Sequence, residues 1–169
     1  MELHVAQADI NTLAVDAVMI PCTSMGNITE PVRSLLKSED GDCIEEELKA
    51  KAPLAVGAAT LANADGFAAS NAILVPIKKH PDDDVAVEHL RRAVKAGLIA
   101  ANMKGYESLA LPPMVEAGTE TTPSEAARAV VQEIRAHRQP FPQTIYLVDL
   151  EEKTIRMFEH AIQHASHAL

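Results

Sequence analysis

Aromatic side chains are nearly missing from this chain: they make up 3% of its 169 residues, and there is no tryptophan. Its core must therefore be packed from Ala, Val, Leu and Ile, with alanine-rich helices lying close to whatever they cover. Cysteine is scarce as well. Cys22 and Cys43 form no C-x-x-C pair and read as two reduced thiols. Positive charge is outnumbered, with 15 Lys and Arg against 24 Asp and Glu and a net charge of −9. That balance argues against nonspecific nucleic-acid binding, which needs a basic field over the phosphates. No apolar run approaches the ~20 residues that span a bilayer. Met1-Glu2-Leu3-His4-Val5 lacks the basic start and apolar core of a signal peptide. The expectation is a cytoplasmic protein with neither nucleic acid nor membrane as a partner.

What is present is a hydrophobic content of 47%, enough for one compact domain over residues 1–169. Short apolar runs at residues 3–7, 15–20, 58–62, 72–77, 109–111 and 145–148 read as strands, the second ended by Pro21. Between them lie helical patterns. Residues 30–37 and 42–51 form two charged helical stretches separated by Ser38-Glu39-Asp40-Gly41. Pro81-Asp82-Asp83-Asp84 reads as the acidic first turn of a long helix with Leu90, Val94, Leu98 and Ala101 on one face and Gly105 as its stop. A last helix presents Ile155, Phe158, Ile162 and Ala165 together. Strands alternating with amphipathic helices predict an α/β domain, its sheet mostly parallel and covered on both faces.

The stretch from Glu107 to Val131 carries the most information. It reads as a short strand, a loop with the single glycine Gly118, and a helix with Thr122 as N-cap, Pro123 at the first position and Glu125 completing a Thr-x-x-Glu capping box. Such a loop presents free backbone N–H groups, the usual α/β device for holding anions. In an open α/β sheet the carboxyl ends of the strands would bring it beside residues 8–12 and 21–29.

Ala8-Asp9-Ile10-Asn11-Thr12, then Val15-Asp16-Ala17-Val18, then this strand–loop–helix resemble the macro domain, a family of ADP-ribose-binding modules, over nearly the whole chain. The resemblance implies a three-layer α/β/α fold with a mixed, mostly parallel central sheet. It assigns Asp9 and Ile10 to the adenine; read from the residues alone, Asp9 is a helix or turn cap. Where the family carries Asn-Ala-Ala-Asn, this chain has Ile20-Pro21-Cys22-Thr23, so Thr23 stands in for the Asn that orients the distal ribose. A hydroxyl does not reproduce an amide's paired donor and acceptor geometry. The family's glycine run is reduced to Gly26-Asn27-Ile28-Thr29, and Glu116 and Glu120 flank the phosphate loop.

The resemblance thus implies a divergent module binding ADP-ribose or a related nucleotide-like metabolite with weak or no catalysis. Asp9, Ile10, Thr23, Gly26, Asn27, Gly118, Thr119, Glu120, Thr121 and Thr122 are the candidate ligand-binding residues, with no catalytic residue, metal or cofactor assigned. Two alternatives stand beside it: an ADP-ribosyl ester hydrolase, and a ligand-free assembly domain like the N-terminal domains of leucine aminopeptidases. Cys22 reads as a buried thiol rather than a nucleophile. His160, His164 and His167 share a helix face at metal-compatible spacing, but a helix C-terminus also favours His for its dipole.

Overall fold

The computed structural model describes residues 1–64 and 66–165. Its six-stranded sheet has the order β1-β6-β5-β2-β4-β3. The strands are β1 (Glu2–Gln7), β2 (Ala17–Thr23), β3 (Thr60–Asn63), β4 (Asn71–Lys78), β5 (Ser108–Leu111) and β6 (Thr144–Asp149). All neighbours run parallel except the β3–β4 hairpin, so the sheet is mixed and mostly parallel. Helices α1 (Val32–Leu35) and α2 (Ser38–Lys51) cover one face. On the other lie α3 (Val87–Lys104), α4 (Pro123–Ala136) and α5 (Glu152–Ala165). The expected three-layer α/β/α fold is present.

The alternation along β2 shows how the sequence divides the core. Ala17 and Met19 pack toward α3–α5, while Val18, Ile20 and Cys22 pack toward α2. Every residue of β2 is buried, as expected for a central parallel strand. In place of aromatics, close approach does the filling. Gly97 of α3 lies so near the sheet that a Cβ there would collide with Met19.

Several boundaries depart from the sequence expectation. Pro21 does not end β2, which runs on to Thr23. β5 pairs with β2 only at Ala17 and Val18, so the N–H that Pro21 lacks would have faced a side with no partner strand. Ser38-Glu39-Asp40-Gly41 is no separator; it forms the first turn of α2. Gly41 is buried there beneath Arg33, and a side chain at that position would displace the guanidinium. Conversely, the stretch expected as helix at 30–37 is helical only for the four residues of α1. Asp82-Asp83-Asp84 does not start α3, which begins at Val87. Instead the acids lie in the preceding turn, where Asp83 accepts from the His80 N–H at 3.1 Å and Lys78 Nζ donates to the carbonyls of Pro81 and Asp83. Local hydrogen bonds of Asp to backbone compete with helix, and here they win.

Candidate functional site

At the carboxyl ends of β5, β6, β1 and β2 four loops meet. The loop after β5 ends in the expected cap: Thr122 Oγ1 accepts from the Glu125 N–H at 3.1 Å and donates to Glu125 Oε1 at 3.0 Å, with Pro123 at the first helical position. Gly118 turns the loop at φ +89°, a conformation that favours glycine, and open space surrounds the place a Cβ would occupy. The backbone N–H groups of Val115, Glu116, Ala117 and Gly118 make no hydrogen bond among the described residues. Further along, the loop is spoken for. The N–H of Glu120 donates to Asp84 Oδ1 at 3.3 Å, Thr121 Oγ1 to the carbonyl of Val85 at 2.5 Å, and Thr119 Oγ1 to that of Thr121 at 2.6 Å. Both Glu116 and Glu120 are exposed.

The loop after β2 folds back on its own strand. Thr23 is fully buried, and its hydroxyl accepts from the Asn27 N–H at 3.1 Å while facing Asn27 Oδ1 at 3.3 Å. The Thr23 N–H donates to the Asn27 carbonyl at 2.7 Å, and Cys22 bridges to Ile28. Gly26, at φ +93°, lies against α2, where a Cβ would stand 2.8 Å from the Lys49 nitrogen. The Ile28 N–H is taken by Glu45 Oε2 at 2.8 Å. Thr23, Gly26 and Asn27 are thus brought to one another as a tight turn, not to the rim near Gly118. Burial pushes the Cys22 thiol up to about 12, so it stays protonated and inert at neutral pH.

After β1, Asp9 accepts from both the N–H of Asn11 at 2.9 Å and its Nδ2 at 2.7 Å. That is the turn-capping geometry open to this residue in the sequence. Asn11 Nδ2 reaches on to the carbonyl of Leu35, tying the loop to α1. Asp9 and Ile10 face Leu35, Pro112 and Asp149 across a crevice too narrow for a water molecule.

Beyond Leu35 the space opens into a cavity of about 330 Å3. Pro112, Met114 and Val115 of the β5 loop form one wall, Ala127 and Val130 of α4 and Phe158 of α5 another, and Glu116, Asp149 and Glu151 supply carboxylates. Asp149, the last residue of β6, lies one place beyond the apolar run 145–148 that marks this strand in the sequence, which is why sequence reasoning missed it. Its signal was an acid continuing a buried strand, and it is only 7% exposed.

The chain matches the family model described as Macro domain over residues 20–131. It belongs to the macro domain family. This macro domain is 30% identical over 163 residues to a protein of Aquifex aeolicus (strain VF5), covering 96% of this chain and 98% of that one. Solved structures with the same fold include the Oceanobacillus iheyensis macrodomain with ADP, at a TM-score of 0.77 and 13% identity over 99% of this chain and 93% of that one. Another is the macrodomain of Mycobacterium tuberculosis DarG, at 0.71 and 11% identity over 86% and 95%.

The remaining candidates lie away from this macro domain's rim. His160 and His164 have ring centroids 4.2 Å apart on α5, and His167 lies outside the described residues. Among the described residues no group of three or more His, Cys, Asp or Glu side chains is placed to hold a metal ion, and no helix is long and apolar enough to cross a membrane.

Proposed function

We propose that this macro domain binds ADP-ribose or a related nucleotide-like metabolite at the carboxyl-end rim and has weak or no catalytic activity. The observation that carries this reading is the run of unpartnered N–H groups from Val115 to Gly118, beside the capped start of α4 and above an apolar cavity. Backbone donors at a helix N-terminus suit a phosphate without any lysine or arginine. That matters here, since Lys78 and Arg33, the half-buried or buried bases near these loops, are engaged within the fold.

Gly118 and its neighbours would take the phosphate side, with the N–H of Glu120 already held by Asp84. Asp9 and Ile10 would border the base, which must sit on the cavity side of Leu35 because the crevice beside them is closed. Thr23, Gly26 and Asn27 shape the ribose-side loop from below. The reading of weak catalysis follows from Thr23 and Cys22: the hydroxyl is buried and bonded to Asn27, and the thiol is buried and protonated. Neither is free to position or activate a water.

Isothermal titration of the full chain with ADP-ribose tests the proposal. Saturable heat is expected at sub-millimolar to millimolar ligand. Silence throughout that range at two salt concentrations would sink it. Release of free ADP-ribose from an ADP-ribosylated protein, lost in Thr23→Ala, would replace the binding reading with the hydrolase.

A further inference from the structure

Seven histidines occur in the chain, and two of them form a pair with no part in the rim. His137 is occupied, its Nε2 lying 2.7 Å from the carbonyl of Phe141, and His4 stacks on Tyr146 beside Glu2. His160 and His164 differ. Both are exposed, and among the described residues neither imidazole has a hydrogen-bond or ion-pair partner. Their rings contact each other, with centroids 4.2 Å apart and planes inclined at 42°. Both belong to α5, one turn apart, where residues i and i+4 stand side by side with Cβ atoms about 5–6 Å apart. This is the spacing at which one helix supplies two His ligands to zinc. A metal with nitrogens at about 2.0–2.1 Å holds two of them roughly 3 Å from each other. Rings this close and inclined need only small side-chain rotations to aim one nitrogen each at a common point.

The pair borders a cavity of about 100 Å3 between α4 and α5, lined also by Ser124, Glu125 and Arg128. That is room for an ion and roughly two or three waters, at about 30 Å3 each. Charge does not choose the occupant: one exposed guanidinium and one exposed carboxylate line the space, and both are screened. Nor do the helix dipoles. His164 lies in the last turn of α5, which favours a cation, while the start of α4 beside it favours an anion. At that start, however, the Glu125 N–H is already taken by Thr122 Oγ1. The donor set therefore decides, and two adjacent imidazoles offer lone pairs to a metal.

We infer that His160 and His164 hold a divalent transition-metal ion through one nitrogen each, with water in the remaining positions. Imidazole suits copper, nickel and zinc; magnesium and calcium take oxygen ligands instead. With two protein ligands the site binds modestly. Its effect is local: the metal clips one turn to the next and ties down the end of α5. None of this rests on the nucleotide reading, because the pair lies away from the phosphate loop.

Nickel and zinc ions are titrated calorimetrically into the full chain at neutral pH, with magnesium as the hard-cation control. One equivalent of either transition metal is expected to bind in the micromolar range, and magnesium not measurably. His160→Gln and His164→Gln, both at exposed positions, should each weaken nickel by about tenfold or more. His89→Gln on α3 and His167→Gln should leave it unchanged. Thermal melts give a second reading: saturating nickel should raise the midpoint of the native chain and not that of the His160→Gln/His164→Gln double variant. No binding of nickel to the native chain at millimolar concentration overturns the inference. So does binding that survives in the double variant, or magnesium bound as tightly as nickel. Binding lost in His167→Gln and kept in His160→Gln overturns it too, since the ligands would then be a different pair.

Discussion

Thr121 donates its hydroxyl proton to the backbone carbonyl of Val85 at 2.5 Å, and both residues are buried. This bond, with the Glu120 N–H to Asp84, straps the turn after β4 onto the loop after β5. Thr121→Val keeps the shape and strands the carbonyl. An unfolding midpoint in urea lower by the equivalent of about 1–3 kcal/mol is expected, the cost of a buried acceptor left unmet. A change within experimental error would mean that the strap carries no stability.

Gly26 is more constrained than Gly118, although both have positive φ. A Cβ at Gly26 would press on the backbone of α2, whereas at Gly118 it would enter open space. Gly26→Ala should therefore destabilise by about 2–4 kcal/mol, the sum of backbone strain and a clash with atoms that cannot swing aside. Gly118→Ala should cost only about 1 kcal/mol. Parallel thermal melts of the two variants read the difference, and equal melting points would refute the assignment of Gly26 to packing.

These loops show what the sequence discloses and what it conceals. The capped start of α4 was legible because Thr122, Pro123 and Glu125 act on their own neighbours, through bonds a few residues long. The strands were legible because β2, β4 and β6 are buried on both faces and read as continuous apolar runs. Gly26 and Thr23 were less so. Their partners are Lys49 and a turn whose closure depends on α2, and nothing in Thr23-Ser24-Met25-Gly26 announces that the loop folds back. The acids at 82–84 misled for a related reason: Lys78, four to six places earlier, draws that segment into a turn before the helix can begin. Asp149 was concealed because its meaning lies in what surrounds it in space.

The two thiols should separate chemically. Cys43 is exposed and Cys22 fully buried, its pKa moved by burial from 9.0 to about 12. A thiol-disulfide reagent at pH 8 should modify one equivalent rapidly in the native chain and the second only after denaturation. The raised value also has a sign for stability. Below pH 9 both folded and unfolded chains keep the Cys22 proton, and nothing is lost. Between 9 and 12 the unfolded chain gives it up first, so stability falls with rising pH, by at most about 1.4 kcal/mol per unit. Tyr106, whose hydroxyl is raised by burial and by Asp16, acts in the same direction. Cys22→Ala should flatten this alkaline slope, and an unchanged slope would assign it elsewhere.

Glu116 and Glu120 are exposed at the edge of the anion-facing loop. Exposed charges are screened, so each should weaken a bound diphosphate only modestly. The double variant Glu116→Gln/Glu120→Gln should bind ADP-ribose about two- to tenfold more tightly at low salt, with the gain shrinking as salt rises. Calorimetry at about 20 mM and about 300 mM salt, one below and one above cellular ionic strength, measures it. Tighter binding that ignores salt would point to a change in loop shape instead.

The sheet order has a consequence for how the molecule comes into being. Within the sheet β1 pairs with β6 alone, residue for residue from Glu2 beside Thr144 to Gln7 beside Asp149. On the ribosome the first strand emerges while its one neighbour is still to be made, a delay on the order of ten seconds at ordinary synthesis rates. During that interval β2, β4 and β5 can assemble with α3 and α4, but Leu3 and Val5 have no surface to lie on. β1 is thus the last strand of the sheet to find its place, and it does so only once β6 has arrived.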